Sequence, residues 1–416
     1  MWNVLKQKNF ALLWTGGLIS MMGDWMLMAA LPFQVFALTN SALAVSGVLM
    51  AMVTPKIIFG SIAGVFVDRW DRKLIMVITS ALQAVVIVSL LLVHSVEWIW
   101  VIYLATFLES TLGIFFSPAE GALLPKLVGE EHLVPANSLN AMNDNLARIF
   151  GPAIGGMLLG TLGFQSVILA DVGSYLIAMV LIILIRAKNT SPDRADQSDA
   201  AQEEGAQKGS VWKEMMAGLQ YIKTNKALTG LFLVLAIALF GDAIISVLMV
   251  VFVQQDMGLG AVEYGWLFTA RGVGGLLGGL LVGYLGQKFS PAQMISVGLI
   301  GSGAAVFAIL TKPTFLILAV TMVLIGPALM AWLISLQTIA QKEAEDAFRG
   351  RVLGMLGMTM GFIMFFGSAI AGSLADQVGT ITMIAVAGVF YTLAGAVSPI
   401  FFGNPRSLQE VQVEPN

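Results

Sequence analysis

Long apolar stretches, broken by short charged, polar or Gly/Pro clusters, run the length of the chain. The breaks predict twelve helices near 10–38, 42–67, 74–94, 98–118, 138–160, 164–187, 227–254, 262–286, 291–311, 314–338, 350–375 and 379–403. Each is long enough to cross a hydrocarbon core, which takes about 20 residues. One polar break is larger than the rest, 188–226. Its first part, 189–210 (NTSPDRADQSDAAQEEGAQKGS), reads as a flexible, solvated linker. In its second part Trp212, Met215, Met216, Leu219 and Ile222 recur at helical spacing opposite Lys213, Glu214 and Lys223. That pattern predicts an amphipathic helix on the inner membrane face. The expected organisation is an N-terminal six-helix bundle (1–187), a cytoplasmic linker with an amphipathic helix (188–226), a C-terminal six-helix bundle (227–403) and a cytoplasmic tail (404–416). The fold class is an all-α polytopic membrane protein.

Composition agrees. Of 416 residues, 57% are hydrophobic and 11% charged, against about 25% charged in soluble domains. A water-facing globule, a disordered chain and a nucleic-acid binder are excluded. The chain has no cysteine, so disulfides, CxxC redox pairs and thiolate metal sites are absent. His94 and His132 are too far apart for a zinc motif, and no Gly-Lys dipeptide exists to form a phosphate-binding P-loop. No metal or organic cofactor is expected, and no ATP hydrolysis. The apolar run from Phe10 to Leu38 is too long for a signal peptide and reads as the first span.

The net charge of −3 matters less than its placement. With the N-terminus inside, cytoplasmic segments hold eighteen of the 22 Lys and Arg, and external loops hold one, Lys312. This asymmetry predicts both termini in the cytoplasm of a multi-pass cell-membrane protein. The two halves also repeat. Gly23-Asp24 matches Gly241-Asp242 at an offset of 218, Gly64 matches Gly283 at 219, and GPAIGGML (151–158) matches GSAIAGSL (367–374) at 216. Six spans per half predict parallel repeats about an axis along the membrane normal, with substrate held between the halves.

The segment GVFVDRWDRK (64–73) resembles the loop between spans 2 and 3 of the major facilitator superfamily. Gly64, Asp68, Arg69, Arg72 and Lys73 match its pattern, and Asp71 stands where glycine is usual. The resemblance implies a cytoplasmic latch centred on Asp68; plain positive-inside anchoring is the alternative. The second-half copy, GYLGQKFSPA (283–292), has Gln287 in place of the aspartate. ARIFGPAIGG (147–156) resembles the span 5 motif of the superfamily's drug:proton antiporters through Gly151, Pro152, Gly155 and Gly156. Small-residue packing explains the same residues. With SPAEGALLPKL…ANSLN (117–140), the whole chain is similar to the branch containing macrolide and enterobactin-type exporters. One departure is Glu109, which stands where many antiporters of the superfamily carry a span 4 arginine. The resemblance further implies a monomer powered by the proton gradient.

Charged residues inside spans each need a reason, since aspartate and the basic residues cost about 2.5–3.5 kcal/mol on insertion scales. Asp24 and Glu109 are the proton-carrier candidates, with Asp242, Arg271 and Lys56 as further coupling or substrate candidates. A structural bond among these groups is the competing explanation. Asp144 and Arg148, four apart in span 5, are expected to pair. Met21, Met28, Trp332 and Gln337 are pocket candidates, because methionine adapts to irregular apolar shapes and Trp and Gln add stacking and a hydrogen bond.

The pattern points to a secondary active transporter, expected to export amphipathic, drug- or macrolide-like molecules in exchange for protons by alternating access. A dedicated siderophore or lysophospholipid carrier is the alternative within transport. A sugar-type importer fits poorly with spans low in Asn and Gln, and no span carries a catalytic set for an enzyme. A non-transporting receptor or scaffold is the alternative of another class.

Overall fold

The computed structural model describes residues 2–60, 67, 69–186 and 211–402. Among these, twelve long helices follow one another, with one shorter amphipathic helix at the midpoint. The first six are α1 (Lys8–Thr39), α2 (Ala42–Phe59), α3 (Arg72–Val88), α4 (Ile99–Val128), α5 (Leu133–Leu162) and α6 (Phe164–Ile183). The amphipathic helix is α7 (Val211–Thr224). The rest are α8 (Lys226–Val251), α9 (Ala261–Leu285), α10 (Pro291–Ile309), α11 (Phe315–Glu343), α12 (Asp346–Val378) and α13 (Thr380–Phe402). Eleven of the long helices are apolar enough to cross a membrane by length and composition. The twelfth, α5, falls short because Asn137, Asn140, Asn143, Asp144, Asn145 and Arg148 crowd its first half.

The chain divides into two compact units, residues 1–208 with 249–272, and 209–248 with 273–416. In the first, α1 lies along α5 and α6, and α3 packs between α4 and α6. In the second, α10 packs likewise between α11 and α13. Residues 249–272, expected in the C-terminal bundle, therefore count with the first unit. The reason is local: Gly156 of α5 has no side chain, so Ala261 and Gly265 approach its backbone, and a Cβ there would lie 2.9 Å from the Gly265 Cα. Thr269 adds a hydrogen bond to the Ile149 carbonyl at 2.6 Å, and Gln254 one to the Phe33 carbonyl at 2.9 Å. Small residues at a helix crossing let backbones close up where lipid offers no hydrophobic drive.

One local expectation is corrected. Helix α4 does not end at 118; it continues through Pro118 and Pro125 because Ala119, Leu123 and Leu124 are buried in the core shared with α1 and α3. Helix α7 forms where the amphipathic pattern predicts it, with Met216 exposed and the end of its apolar face on protein. Ile222 is buried with Leu228, Ala344 and Val352, and the Tyr221 ring stacks on Phe348 at 4.4 Å. The Tyr221 hydroxyl also accepts from the Glu345 N–H at 3.1 Å. The Trp212 and Met215 side chains, and the linker 189–210, lie outside the described residues.

Candidate functional site

Asp24 lies mid-way along α1, directly after Gly23. At Gly23 a Cβ would collide with Asp171 Oδ1 and Ser174 Oγ of α6, so only glycine allows this approach. The close crossing delivers Tyr175 of α6 to Asp24, and its hydroxyl donates to Asp24 Oδ1 at 2.5 Å. The same hydroxyl oxygen stands 3.3 Å from Glu109 Oε1 of α4 and accepts from Gln83 Nε2 of α3 at 3.2 Å. Four helices thus converge on one phenol. Tyr175 and Gln83 are buried, at 2% and 5% exposure, while Asp24 and Glu109 are half-buried.

Neighbouring charges are few. Ser110 Oγ lies 3.5 Å from Glu109 Oε2. Lys56 of α2 acts electrostatically on Glu109 without forming an ion pair, and its own side chain is exposed. Asp171 is 1% exposed; Ser174 Oγ lies 3.2 Å from its Oδ1, and its Oδ2 has no hydrogen-bond partner.

The second unit carries a related pair. Tyr391 of α13 donates to Asp242 Oδ1 of α8 at 3.0 Å, as Tyr175 does to Asp24. Gly241 faces the Ala387 carbonyl and the Tyr391 ring. At the repeat offset of 216, Asp171 becomes Ala387, Ser174 becomes Phe390 and Glu109 becomes Ile325. The convergence of several acids belongs to the first unit.

The other residues picked from sequence are scattered. In the antiporter-type motif, Gly151 and Gly155 press on the α1 backbone at Met22 and Met26, two residues either side of Asp24, while Gly156 meets Gly265. The motif therefore seats the helix that holds the acid. Asp144 and Arg148 do not pair: Arg148 donates to Asn145 Oδ1 at 3.0 Å, because the residue at i−3 offers a closer acceptor. Trp332 is 1% exposed, packed against α10 near Gly298, whereas Gln337 is exposed. Met21 and Met28 are half-buried on α1. Arg271 lies within electrostatic reach of the buried Tyr264.

Gly64 and Asp68 of the loop motif fall outside the described residues. Two of its basic residues hold main-chain carbonyls, Lys73 at the end of α6. Lys73 Nζ donates to the Ile183 and Ile185 carbonyls at 2.8 Å each, and Arg72 reaches the Ala122 carbonyl at 3.5 Å. Cations suit the negative end of a helix. Asp71, in the place usual for glycine, caps α3 by accepting from the Leu74 N–H at 2.8 Å.

Sequence reasoning missed Tyr175, Gln83 and the depth of Asp171. A signal existed: YLIA at 175–178 and YTLA at 391–394 share Tyr and Ala at the offset of 216 already set by the helix 5 motif. It also missed Glu120 of α4, which lies 3.4 Å from Asn140 Nδ2. Among the described residues, no group of three or more acids or histidines could hold a metal ion.

Comparison with known proteins places these features in a family. The chain is 24% identical to macrolide efflux protein A of Streptococcus pyogenes, over 94% of this chain and 95% of that protein. It is 27% identical to the multidrug efflux pump Tap of Mycolicibacterium fortuitum, covering 93% of each. Among solved structures, the nucleoside transporter NupG superposes with a TM-score of 0.73 at 16% identity, over 95% of this chain and 98% of that one. Residues 1–411 match the family described as transmembrane secretion effector. The chain is a multi-pass membrane transporter of the transmembrane secretion effector family, within the major facilitator superfamily.

Proposed function

We propose that the protein is a secondary active exporter that moves amphipathic small molecules outward in exchange for protons. It works as a monomer in the cytoplasmic membrane, both termini inside, by alternating access of its two bundles. The observation that carries this reading is the meeting of Asp24 and Glu109, from different helices, at the Tyr175 hydroxyl. An ionisable group inside a span is expensive to keep and marks a proton or ion pathway by default. Two acids brought to one hydroxyl form a place where a proton can be taken up and given back. Support for the substrate class comes from the relatives, whose names state macrolide and multidrug efflux. It suits a first helix rich in methionine, at Met21, Met22, Met26 and Met28, because such side chains adapt to varied apolar shapes.

The test is uptake of a lipophilic cationic dye into inverted membrane vesicles, with and without an imposed pH gradient, against empty-vector vesicles. Gradient-driven uptake that vanishes in Asp24→Asn and Glu109→Gln is expected. Uptake that ignores the gradient overturns proton coupling. Gradient-driven uptake confined to one siderophore or one lysophospholipid overturns polyspecificity and identifies a dedicated carrier.

A further inference from the structure

We infer that Asp24 and Glu109 hold a single proton between them, passed through the Tyr175 hydroxyl. Tyr175 is thus the positioning residue that makes two acids act as one proton site. The inference rests on the proton-coupling reading above and sharpens it to one residue and one proton.

Donor counting carries the argument. The phenol has one hydrogen to give and accepts on its oxygen. Its short 2.5 Å contact is to Asp24 Oδ1, the length of a hydroxyl bonded to an ionised carboxylate, about 2.5–2.7 Å. When Asp24 is ionised, that hydrogen is committed to it. Gln83 Nε2 gives a hydrogen to the phenol oxygen at 3.2 Å. Glu109 Oε1, 3.3 Å from the same oxygen, has nothing left to accept. If Glu109 were ionised, two lone-pair-bearing oxygens would face each other across 3.3 Å. If Glu109 carries a proton, its hydroxyl donates to the phenol and every member of the group is satisfied. Buried polar networks of this kind are favourable when complete and costly when half-made.

The other charged groups around the cluster do not change the count. From α2, Lys56 acts on Glu109 but forms no ion pair with it. From α6, Asp171 is a third acid, engaged through Oδ1 with Ser174 and offering no hydrogen bond to the phenol. From α3 comes only the neutral Gln83, and from α4 only Ser110 beside Glu109.

The exchange is balanced. Glu109 gives its proton to the phenol oxygen as the phenol gives its own to Asp24; the tyrosine is unchanged and the proton has crossed from α4 to α1. When the proton leaves to water, both carboxylates are ionised and one phenol hydrogen must serve both. The repulsion then falls between α4 and the closely packed α1–α6 pair, so proton release loosens α4. The second unit lacks this device at the matching place, since Ile325 stands at the offset of Glu109.

Infrared difference spectroscopy of the purified full-length protein in lipid bilayers tests this, using the carbonyl stretch of protonated carboxyls during a pH change. One titrating band is expected, lost in Glu109→Gln, kept in Asp171→Asn and in Tyr391→Phe, and shifted in Tyr175→Phe, which removes the phenol contact without altering the acid. If Glu109→Gln fails to fold, Glu109→Asp, which withdraws the acid by one methylene, should shift the band in its place. A band lost only in Asp171→Asn, a band indifferent to Tyr175→Phe, or two protons released from the pair would each overturn the shared proton. The spectra need no substrate and no flux. Gradient-independent dye transport with the band present would sink proton coupling and leave the shared proton standing. Gradient-driven transport without the band would do the reverse.

Discussion

The two Asp–Tyr pairs of this protein start from the same parts and end in different surroundings. In each unit an aspartate after a glycine, in the first long helix, meets a tyrosine of the sixth: Asp24 with Tyr175, and Asp242 with Tyr391. Around the first pair gather Glu109, Gln83, Asp171 and Ser174. Around the second, the corresponding positions that the repeat identifies are Ile325, Ala387 and Phe390. A repeat supplied the helix crossing and its hydrogen bond twice, while the extra acids occur once. The shared pair is the scaffold, and the added carboxylates are what the proposed proton site adds to it.

The comparison breaks most directly in transport. Asp24→Asn should bring gradient-driven dye uptake in inverted vesicles down to the empty-vector level. Asp242→Asn should lower the rate while uptake continues to rise with the gradient. The reverse result, with Asp242 essential and Asp24 dispensable, would move the proton site to the second unit.

The crossings themselves differ next. Gly23→Ala pushes a methyl into Asp171 and Ser174, whereas the added methyl of Gly241→Ala meets the Ala387 carbonyl at 3.1 Å, a milder overlap. Overpacking costs about 1–3 kcal/mol, so Gly23→Ala should lower the thermal unfolding midpoint in detergent clearly more than Gly241→Ala. Equal losses would mean that the first crossing is no tighter than the second.

How much of this was legible in the sequence follows from what each feature depends on. Helix number and rough limits follow from apolar run length, which a bilayer enforces over about 20 residues at a time. The repeat was visible because Gly23-Asp24 and the helix 5 motif recur at nearly equal offsets. Asp24 and Glu109 stood out because charge in a span is rare. Tyr175 did not, since tyrosine is ordinary in a membrane helix and only the α1–α6 crossing shows what its hydroxyl touches. The Asp144–Arg148 pair failed for a related reason: helical spacing gives two acceptors within reach of Arg148, and Asn145 takes the bond. Trp332 fits the same pattern, because aromatic character cannot distinguish a pocket wall from the α10–α11 interface that buries it. The α4 limit was missed because Pro118 and Pro125 read as breakers, while core packing holds the helix through both.

The smallest expected effect concerns the start of the third long helix in each unit, where the halves solve one problem with different chemistry. Asp71 accepts from the Leu74 N–H at the start of α3, and Ser290, at the offset of 219 also seen for Gly64 and Gly283, accepts from the Gln293 N–H at the start of α10. Ser290 has a reciprocal bond as well, its own N–H donating to Gln293 Oε1 at 3.0 Å. Removing an N-cap side chain costs about 1 kcal/mol, because an N–H at the helix start then loses its partner. Asp71→Ala and Ser290→Ala should each lower stability by about that amount, measured as the shift in thermal midpoint, and Asp71→Ser should recover the first loss by restoring an acceptor. Asp71→Gly, which restores the residue usual in the superfamily loop, should cost less than alanine, since glycine is itself an acceptable N-cap. If Asp71→Ser stays as unstable as Asp71→Ala while Ser290→Ala behaves as expected, capping is not what the aspartate contributes. The carboxylate's charge beside Arg72 and Lys73 would then be its role, and the two helix starts would differ in function as the two Asp–Tyr pairs do.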